Sequence, residues 1–438
     1  MTSRSRIILV AAALALFNPP RLFAQGTPLS EILVDLIQSD VRLAAVADPT
    51  RSHDAHFIPG TDQVLTPFLF NQAIVSQLST FPLGTPSGGF TYTFDPGLGT
   101  YSRTSSSFGP SFTERALTIG KGRFNIGASY QHATFSTFEG KDLEGGNIKF
   151  YLTHIPIRTP PLFFEGDLVE TALDMKLKTD TFSMLANYGV TDRFDVAVAV
   201  PIIHVSLDAR INATVQRIAT QDSGPDALHH FPGGGISAPF SDSGSATGIG
   251  DIVLRGKYHF MAGAGGGLAA LLDLRLPTGD EDNLLGTGTT QGKILLVGST
   301  STTRVSPHFN IGYTWSGTSS NDLLNVTDEF NYAGGAELAA HPRLTINVDF
   351  IGRQLVDSGR LVETAKTFNW MTAAGVPGST TFNEFAFEDG SLNLLSSAVG
   401  FKYNPTGNVL ISFNVLFPLT DGGIKSNPIP VFGFDYAF

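Results

Sequence analysis

The sequence predicts an all-β fold: a transmembrane, antiparallel up-and-down barrel of twelve strands, with fourteen as the alternative. Three observations carry this reading. The chain ends Phe432-Gly-Phe-Asp-Tyr-Ala-Phe438, so Phe432, Phe434, Tyr436 and Phe438 share one face of an extended strand. A soluble fold would have to bury that stripe at a chain end that tends to fray. A barrel wall sets it against lipid and turns Gly433, Asp435 and Ala437 to the lumen. Second, period-two alternation recurs from about residue 123 onward with nearly every strand charge on one phase. A Lys or Arg at the bilayer midplane costs roughly 2–4 kcal/mol, so a lipid-facing phase must be free of charge. Third, the connections between strands alternate long and short.

Residues 1–24 read as an export signal, with Arg4 and Arg6 before an apolar run from Ile7 to Phe17 and a cleavage site at Leu22-Phe23-Ala24. That run is well short of the roughly 20 residues a spanning helix needs. No later stretch is continuously apolar for that length, which leaves strands as the way into a bilayer.

Residues 25–112 read as an N-terminal periplasmic extension or a lumenal plug with short helices. Thr27 can cap a helix with Pro28 at its first position and Glu31 in its first turn. Leu29, Ile32, Leu33, Leu36 and Ile37 follow at helical spacing. A second short helix is expected around Phe68–Leu78, and a hairpin at Gly89–Asp95 and Thr100–Arg103. A strand pair added here would make fourteen. The plug is preferred because the aromatic residues of this region would otherwise be wet.

Residues 113–438 read as the barrel. Its strands are predicted at Arg123–Thr137, Leu168–Tyr188, Arg193–Leu207, Asp251–Phe260, Leu268–Leu276, Lys293–Thr302, Pro307–Ser316, Phe330–Ala339, Arg343–Val356, Leu392–Tyr403, Val409–Phe417 and the C-terminus. In the second strand Val169 to Leu177 oppose Glu170, Asp174, Lys176 and Lys178, and the apolar phase then slips to Phe182, Met184, Ala186 and Tyr188. That slip predicts a β-bulge near Thr179–Thr181. Odd-numbered connections are long and even-numbered ones short, the rhythm of outer-membrane barrels, with their even strand count and both ends in the periplasm.

Composition and motifs exclude several functions. The chain has 47 Gly, 34 Phe and no Cys in 438 residues, so disulfides and thiolate metal sites are absent. A net charge of -11 without basic clusters argues against nucleic acid as a partner. Asp280, Glu281 and Asp282 lack calcium-loop spacing. His53 with His56, and His229 with His230, lack a helical frame and a third ligand. Gly263–Gly267 reads as a turn, and no nucleophile elbow is present. No catalytic, cofactor-binding or metal residue is predicted, and no cofactor. The candidate site is the set of charges expected to point into the barrel: Glu170, Asp174, Lys176, Asp251, Arg255, Lys257, Asp273, Arg275, Glu337, Asp349 and Arg353. They can pair across strands to stiffen the lumen, or line it and set permeability. Arg255 and Arg275 are the first candidates, because pairing of the fourth and fifth strands brings them together.

Several stretches resemble a known family: Tyr188-Gly-Val-Thr-Asp-Arg-Phe-Asp-Val-Ala-Val-Ala-Val-Pro201, Gly248-Ile-Gly-Asp-Ile252 leading to Lys257-Tyr258, Leu276-Pro-Thr-Gly-Asp280, and Pro418-Leu-Thr-Asp-Gly-Gly423 before an aromatic C-terminus. In this order they resemble the outer-membrane transporter family labelled "MetA pathway of phenol degradation", over roughly residues 115–438. The resemblance implies a channel in the bacterial outer membrane for small, hydrophobic or aromatic compounds, without catalytic residues. The terminal Phe is also similar to the signal read by the barrel assembly machinery, which joins lipid, lipopolysaccharide and the solute as an expected partner. The expected function is passive diffusion of such compounds. The alternatives are an outer-membrane hydrolase on the same scaffold and a structural or adhesive barrel with no transport role.

Overall fold

The structure is a computed structural model that describes residues 27–44, 57–58, 74, 77, 84, 89–95, 100–155, 161–221, 228–263, 266–318, 326–388 and 390–438. The export signal and all but Ile74 and Gln77 of the second expected helix lie outside the described residues.

Twelve antiparallel strands close into a barrel. They are β1 Phe124–Phe138, β2 Leu168–Thr191, β3 Phe194–Gln216, β4 Ile252–Gly263, β5 Gly266–Leu276 and β6 Gln291–Ser299. There follow β7 Val305–Ser316, β8 Glu329–His341, β9 Leu344–Leu355, β10 Leu392–Tyr403, β11 Val409–Pro418 and β12 Ile429–Ala437. Each pairs with the next, and β12 returns to β1 from Val431↔Gln131 to Ala437↔Asn125. Closure leaves no open edge, which is the condition for strands in hydrocarbon. The hairpin Tyr92–Asp95 with Thr100–Arg103 pairs within itself and adds nothing to the wall, so the count is twelve rather than fourteen.

The wall is inverted relative to a soluble protein. Leu272, Trp315, Phe432 and Phe438 lie on its outer phase and are 55%, 50%, 52% and 55% exposed, whereas Thr345, Asn347 and Asp349 on the inner phase are fully buried. Apolar outside and polar inside is reconciled by acyl chains around the barrel. Aromatic rings gather at the wall's ends. Phe124 and Tyr436 meet Phe438 at the closing seam, at 5.8 and 4.6 Å, and Tyr313 meets Trp315 at 5.2 Å near the opposite rim. Short turns lie at the Phe438 end and long connections at the other, which makes the latter the outer face.

The second strand corrects two expectations. β2 and β3 are 24 and 23 residues long, and their pairing runs unbroken through Lys178↔Ser206, Thr179↔Val205 and Asp180↔His204. There is no bulge at Thr179–Thr181. Odd-numbered residues of β2 face inward throughout: Leu173, Met175 and Leu177 in the outer half, Thr181, Ser183 and Asn187 in the inner half. What changes along the strand is the surrounding medium. Beyond the bilayer the outer side meets water and the inner side meets a hydrophobic core, so the apolar phase switches without a slip.

Glu170, Asp174 and Lys176 therefore face outward, not into the lumen. Lys176 lies 3.5 Å from Glu144 with both side chains more than half exposed. Glu170 pairs with Lys149 at 2.8 Å, and Asp174 accepts the Gly145 N–H at 3.1 Å. Lys176→Ala is expected to change unfolding free energy by no more than about 0.5 kcal/mol and to leave conductance unaltered. A larger loss in urea titration would return Lys176 to the interior.

Under the outer loops sits helix α1, Leu29–Asp35, continued by a π turn at Leu36–Asp40. It starts one residue later than expected, with Pro28 at the cap and no side-chain cap bond. The apolar face read from the spacing is buried: Leu29, Ile32, Leu33, Leu36 and Ile37 pack with Val205, Leu207, Ile211, Leu284 and Leu285. Gly244, on a strand (Ser237–Ile249) that pairs with β3, makes room for this helix, since a Cβ there would come within 2.7 Å of Leu29. The Ser30 N–H donates to the Asp282 carbonyl at 3.0 Å and the Ala44 N–H to the His230 carbonyl at 2.8 Å.

Candidate functional site in the barrel lumen

Strand register aligns the inward charges in one layer. Arg255 of β4 stands opposite Asp273 of β5, Asp273 opposite Lys293 of β6, Lys293 opposite Thr314 of β7, and Thr314 opposite Glu329 of β8. Arg275 is one step along β5, opposite Val253 and Gln291, and Arg353 of β9 is opposite Asn331. The Arg255 guanidinium grips both Asp273 oxygens at 2.6 Å and also donates to Glu114. Lys257 stands 3.4 Å from the other Glu114 oxygen. Arg353 donates to both oxygens of Glu329. Ions removed from water cost several kcal/mol each, and bidentate pairing is what offsets that cost.

Glu114 belongs to the segment that enters β1, and this segment crosses the lumen without regular structure. Its backbone groups have no ladder partners of their own, so the wall must satisfy them. Asp349, fully buried on β9, accepts four donors: the Ser111 and Phe112 N–H groups at 3.2 Å, the Thr113 hydroxyl at 3.0 Å and His308 Nε2 at 2.9 Å. Thr345 accepts the Phe108 N–H at 2.9 Å, and Lys402 Nζ donates to the Pro110 carbonyl at 2.6 Å. The Ser107 hydroxyl donates to Glu337 at 2.6 Å. Asn310 clasps the Glu114 backbone from both sides, accepting its N–H at 2.8 Å and donating to its carbonyl at 2.9 Å. On the far wall Asp195 accepts the Ile119 N–H at 2.9 Å, and the Gly122 N–H donates to the Gly189 carbonyl at 2.7 Å. Gly189 has to be glycine, because a Cβ there would lie 1.9 Å from the Gly120 carbonyl oxygen.

The lumen is subdivided. A cavity of about 150 Å³ lies between the charged layer and Phe112 with Glu114. Two smaller ones, about 60 and 40 Å³, adjoin it through Ile351 with Arg353 and through Gly84 with Phe112.

Of the residues singled out from sequence, Arg255, Asp273, Arg275 and Arg353 line the main cavity, while Lys257, Glu337 and Asp349 hold the crossing segment. Asp251 is buried but serves the outer loop, accepting the Gly279 N–H at 3.1 Å and the Thr287 N–H and hydroxyl at 2.9 and 2.7 Å. Phe432, Phe434 and Phe438 are exposed on the outer phase and Tyr436 is partly so. Sequence reasoning missed Lys293, Glu329 and Glu114. Lys293 lies on a weakly alternating strand, Glu329 one residue before its predicted strand, and Glu114 in a segment with no period. Among the described residues no three His, Cys, Asp or Glu side chains are placed to hold a metal ion.

Comparison with curated proteins finds no match. Among solved structures, an outer membrane channel of Pseudomonas putida F1 is similar at 13% identity and a TM-score of 0.40, over 74% of this chain and 98% of that one. A Pseudomonas aeruginosa FadL homologue is similar at 11% identity and 0.32, over 72% and 90%. The Ralstonia pickettii toluene transporter TbuX is similar at 11% and 0.27, over 73% and 90%. Likenesses this distant carry no information about solutes. The sequence itself matches a family pattern over residues 173–417, more than half its length, and the protein thus belongs to the family described as "Putative MetA-pathway of phenol degradation".

Proposed function

We propose that the protein is an outer-membrane channel through which small hydrophobic or aromatic compounds diffuse passively, without a cofactor. The observation that carries this reading is the main cavity, about 150 Å³ in a closed barrel with an apolar outer belt. A cavity of roughly that size holds one benzene ring. Phe112, Val253, Leu295 and Ile351 supply apolar surface to it, and the family's connection with phenol degradation agrees with a one-ring solute. Residues 25–112, together with the rest of the crossing segment up to β1, act as a lumenal plug that divides the bore into solute-sized stations. The aromatic stripe Phe432, Phe434, Tyr436 and Phe438 serves barrel assembly, and the outer belt meets lipid and lipopolysaccharide.

Uptake by cells with an intact lipopolysaccharide leaflet tests the reading. Labelled benzyl alcohol is expected to enter faster when the barrel is expressed, with glucose uptake unchanged. Equal benzyl alcohol uptake with and without the barrel would overturn it. Deleting residues 25–112 is expected to raise single-channel conductance, and an unchanged value would reject the plug.

A further inference from the structure

The inner end of the barrel differs in charge from the chain as a whole, which carries -11. The lead into β1 and the short inner turns hold Lys121, Arg123, Arg193, Arg304 and Arg343 against Asp192 and the chain-end carboxylate of Phe438. The neighbouring hairpin adds Arg103 and Asp95, whose charges cancel. One layer deeper the inward charges also balance: Lys257 stands opposite Asp195, and Lys402 attracts Asp435.

Four of the cations occupy the same place in their strands. Arg123, Arg193, Arg304 and Arg343 directly precede Phe124, Phe194, Val305 and Leu344, the first residues of β1, β3, β7 and β9. Each arginine carbonyl accepts an N–H from the neighbouring strand, of Gly189, His259, Ala339 and Asn404, at 2.8 to 3.0 Å. The ladder thus extends through the arginine, and alternation turns its side chain to the inner phase, opposite the outward residue that follows. In a ring of twelve consecutive strands β1 faces β7 and β3 faces β9, so the four surround the mouth as two crossed pairs. Arg193, Arg304 and Arg343 are exposed there. Arg343 donates to the Pro405 carbonyl at 3.4 Å, a partner that leaves its charge uncancelled.

We propose that Arg123, Arg193, Arg304 and Arg343 form a cationic collar at the inner mouth that makes the pore admit anions in preference to cations. The assignment rests on the channel reading above and adds a charge preference to it. Rings of Arg or Lys select anions because they concentrate counter-ions and repel co-ions at a mouth. The collar lies in water, so its field reaches about 10 Å in 0.1 M salt and about 3 Å in 1 M.

The reversal potential of the purified full-length barrel in planar bilayers, under a potassium chloride gradient, decides it. Chloride is expected to permeate at least about threefold faster than potassium near 0.1 M salt, with the ratio falling towards one near 1 M. Arg193→Glu combined with Arg304→Glu leaves three cations against four carboxylates and is expected to bring the ratio below one. Arg193→Lys with Arg304→Lys keeps the charge and is expected to keep the native ratio. Heat-modifiable migration on gels checks that each variant has folded, and the comparison of low with high salt needs only the native protein. A native ratio of one or less overturns the proposal, as does a native barrel that passes no ions. Selectivity undiminished in 1 M salt, or a native ratio in the folded double Glu variant, overturns it too. Benzyl alcohol is neutral and its uptake by cells is a separate measurement, so the collar can fail while the channel reading stands.

Discussion

Asp349→Ala is expected to free the segment that crosses the lumen and raise single-channel conductance severalfold in planar bilayers. The carboxylate is fully buried and accepts from two backbone N–H groups, one hydroxyl and one imidazole. Its removal strands all four donors at once. Losing one partner of a buried charged pair costs about 3–5 kcal/mol, and His308 loses its Asp349 contact in addition to the stranded N–H groups. The loss falls on the crossing segment, because the β9 backbone keeps its ladders to β8 and β10. Bilayer recording and urea titration should therefore diverge: a large change in current, with a barrel that still migrates as folded. Unchanged conductance in a folded variant would show that the contacts of Asp349 do not keep the lumen closed.

Leu272→Lys should lower the unfolding free energy in phospholipid vesicles by about 2–4 kcal/mol, whereas Leu272→Phe should leave it within about 1 kcal/mol. Leu272 is 55% exposed on the outer phase of β5, opposite Gly256 and Ile294. An ammonium there sits in acyl chains. The contrast with Lys176 is instructive, since both positions face outward and depth alone separates them. If Leu272→Lys were as mild as Lys176→Ala, the belt would not be in hydrocarbon.

That contrast also explains what the sequence made legible. All twelve strands were found, because alternation along a wall with lipid on one side and polar groups on the other is a local pattern. Alternation has one variable, apolar or polar, and does not say which side is inside. On β2 the medium changes outside and inside at the same height, so Val169 to Leu177 mimic a lipid face while pointing inward, and Glu170, Asp174 and Lys176 mimic a lumen lining while pointing outward, Lys176 into water and Glu170 against Lys149 and Tyr151. Inside the bilayer the same rule worked for Arg255, Asp273 and Arg275. Their pairing followed from a hairpin with a short turn. Glu114 was beyond reach, because its partners Arg255 and Lys257 are set by tertiary closure and no period marks the segment that carries it.

The path of the N-terminal part constrains how the molecule is made. Helix α1 lies beneath the outer loops, while the same stretch of chain joins β1 beside the inward-side turn at Gly189. The ring is sealed where β12 meets β1. Laying that stretch in place while the ring is still a curled sheet, and zipping the last seam afterwards, is the order that avoids threading a closed hoop. A bulky folded tag joined ahead of α1 should then delay sealing and leave the open sheet exposed to proteases for longer.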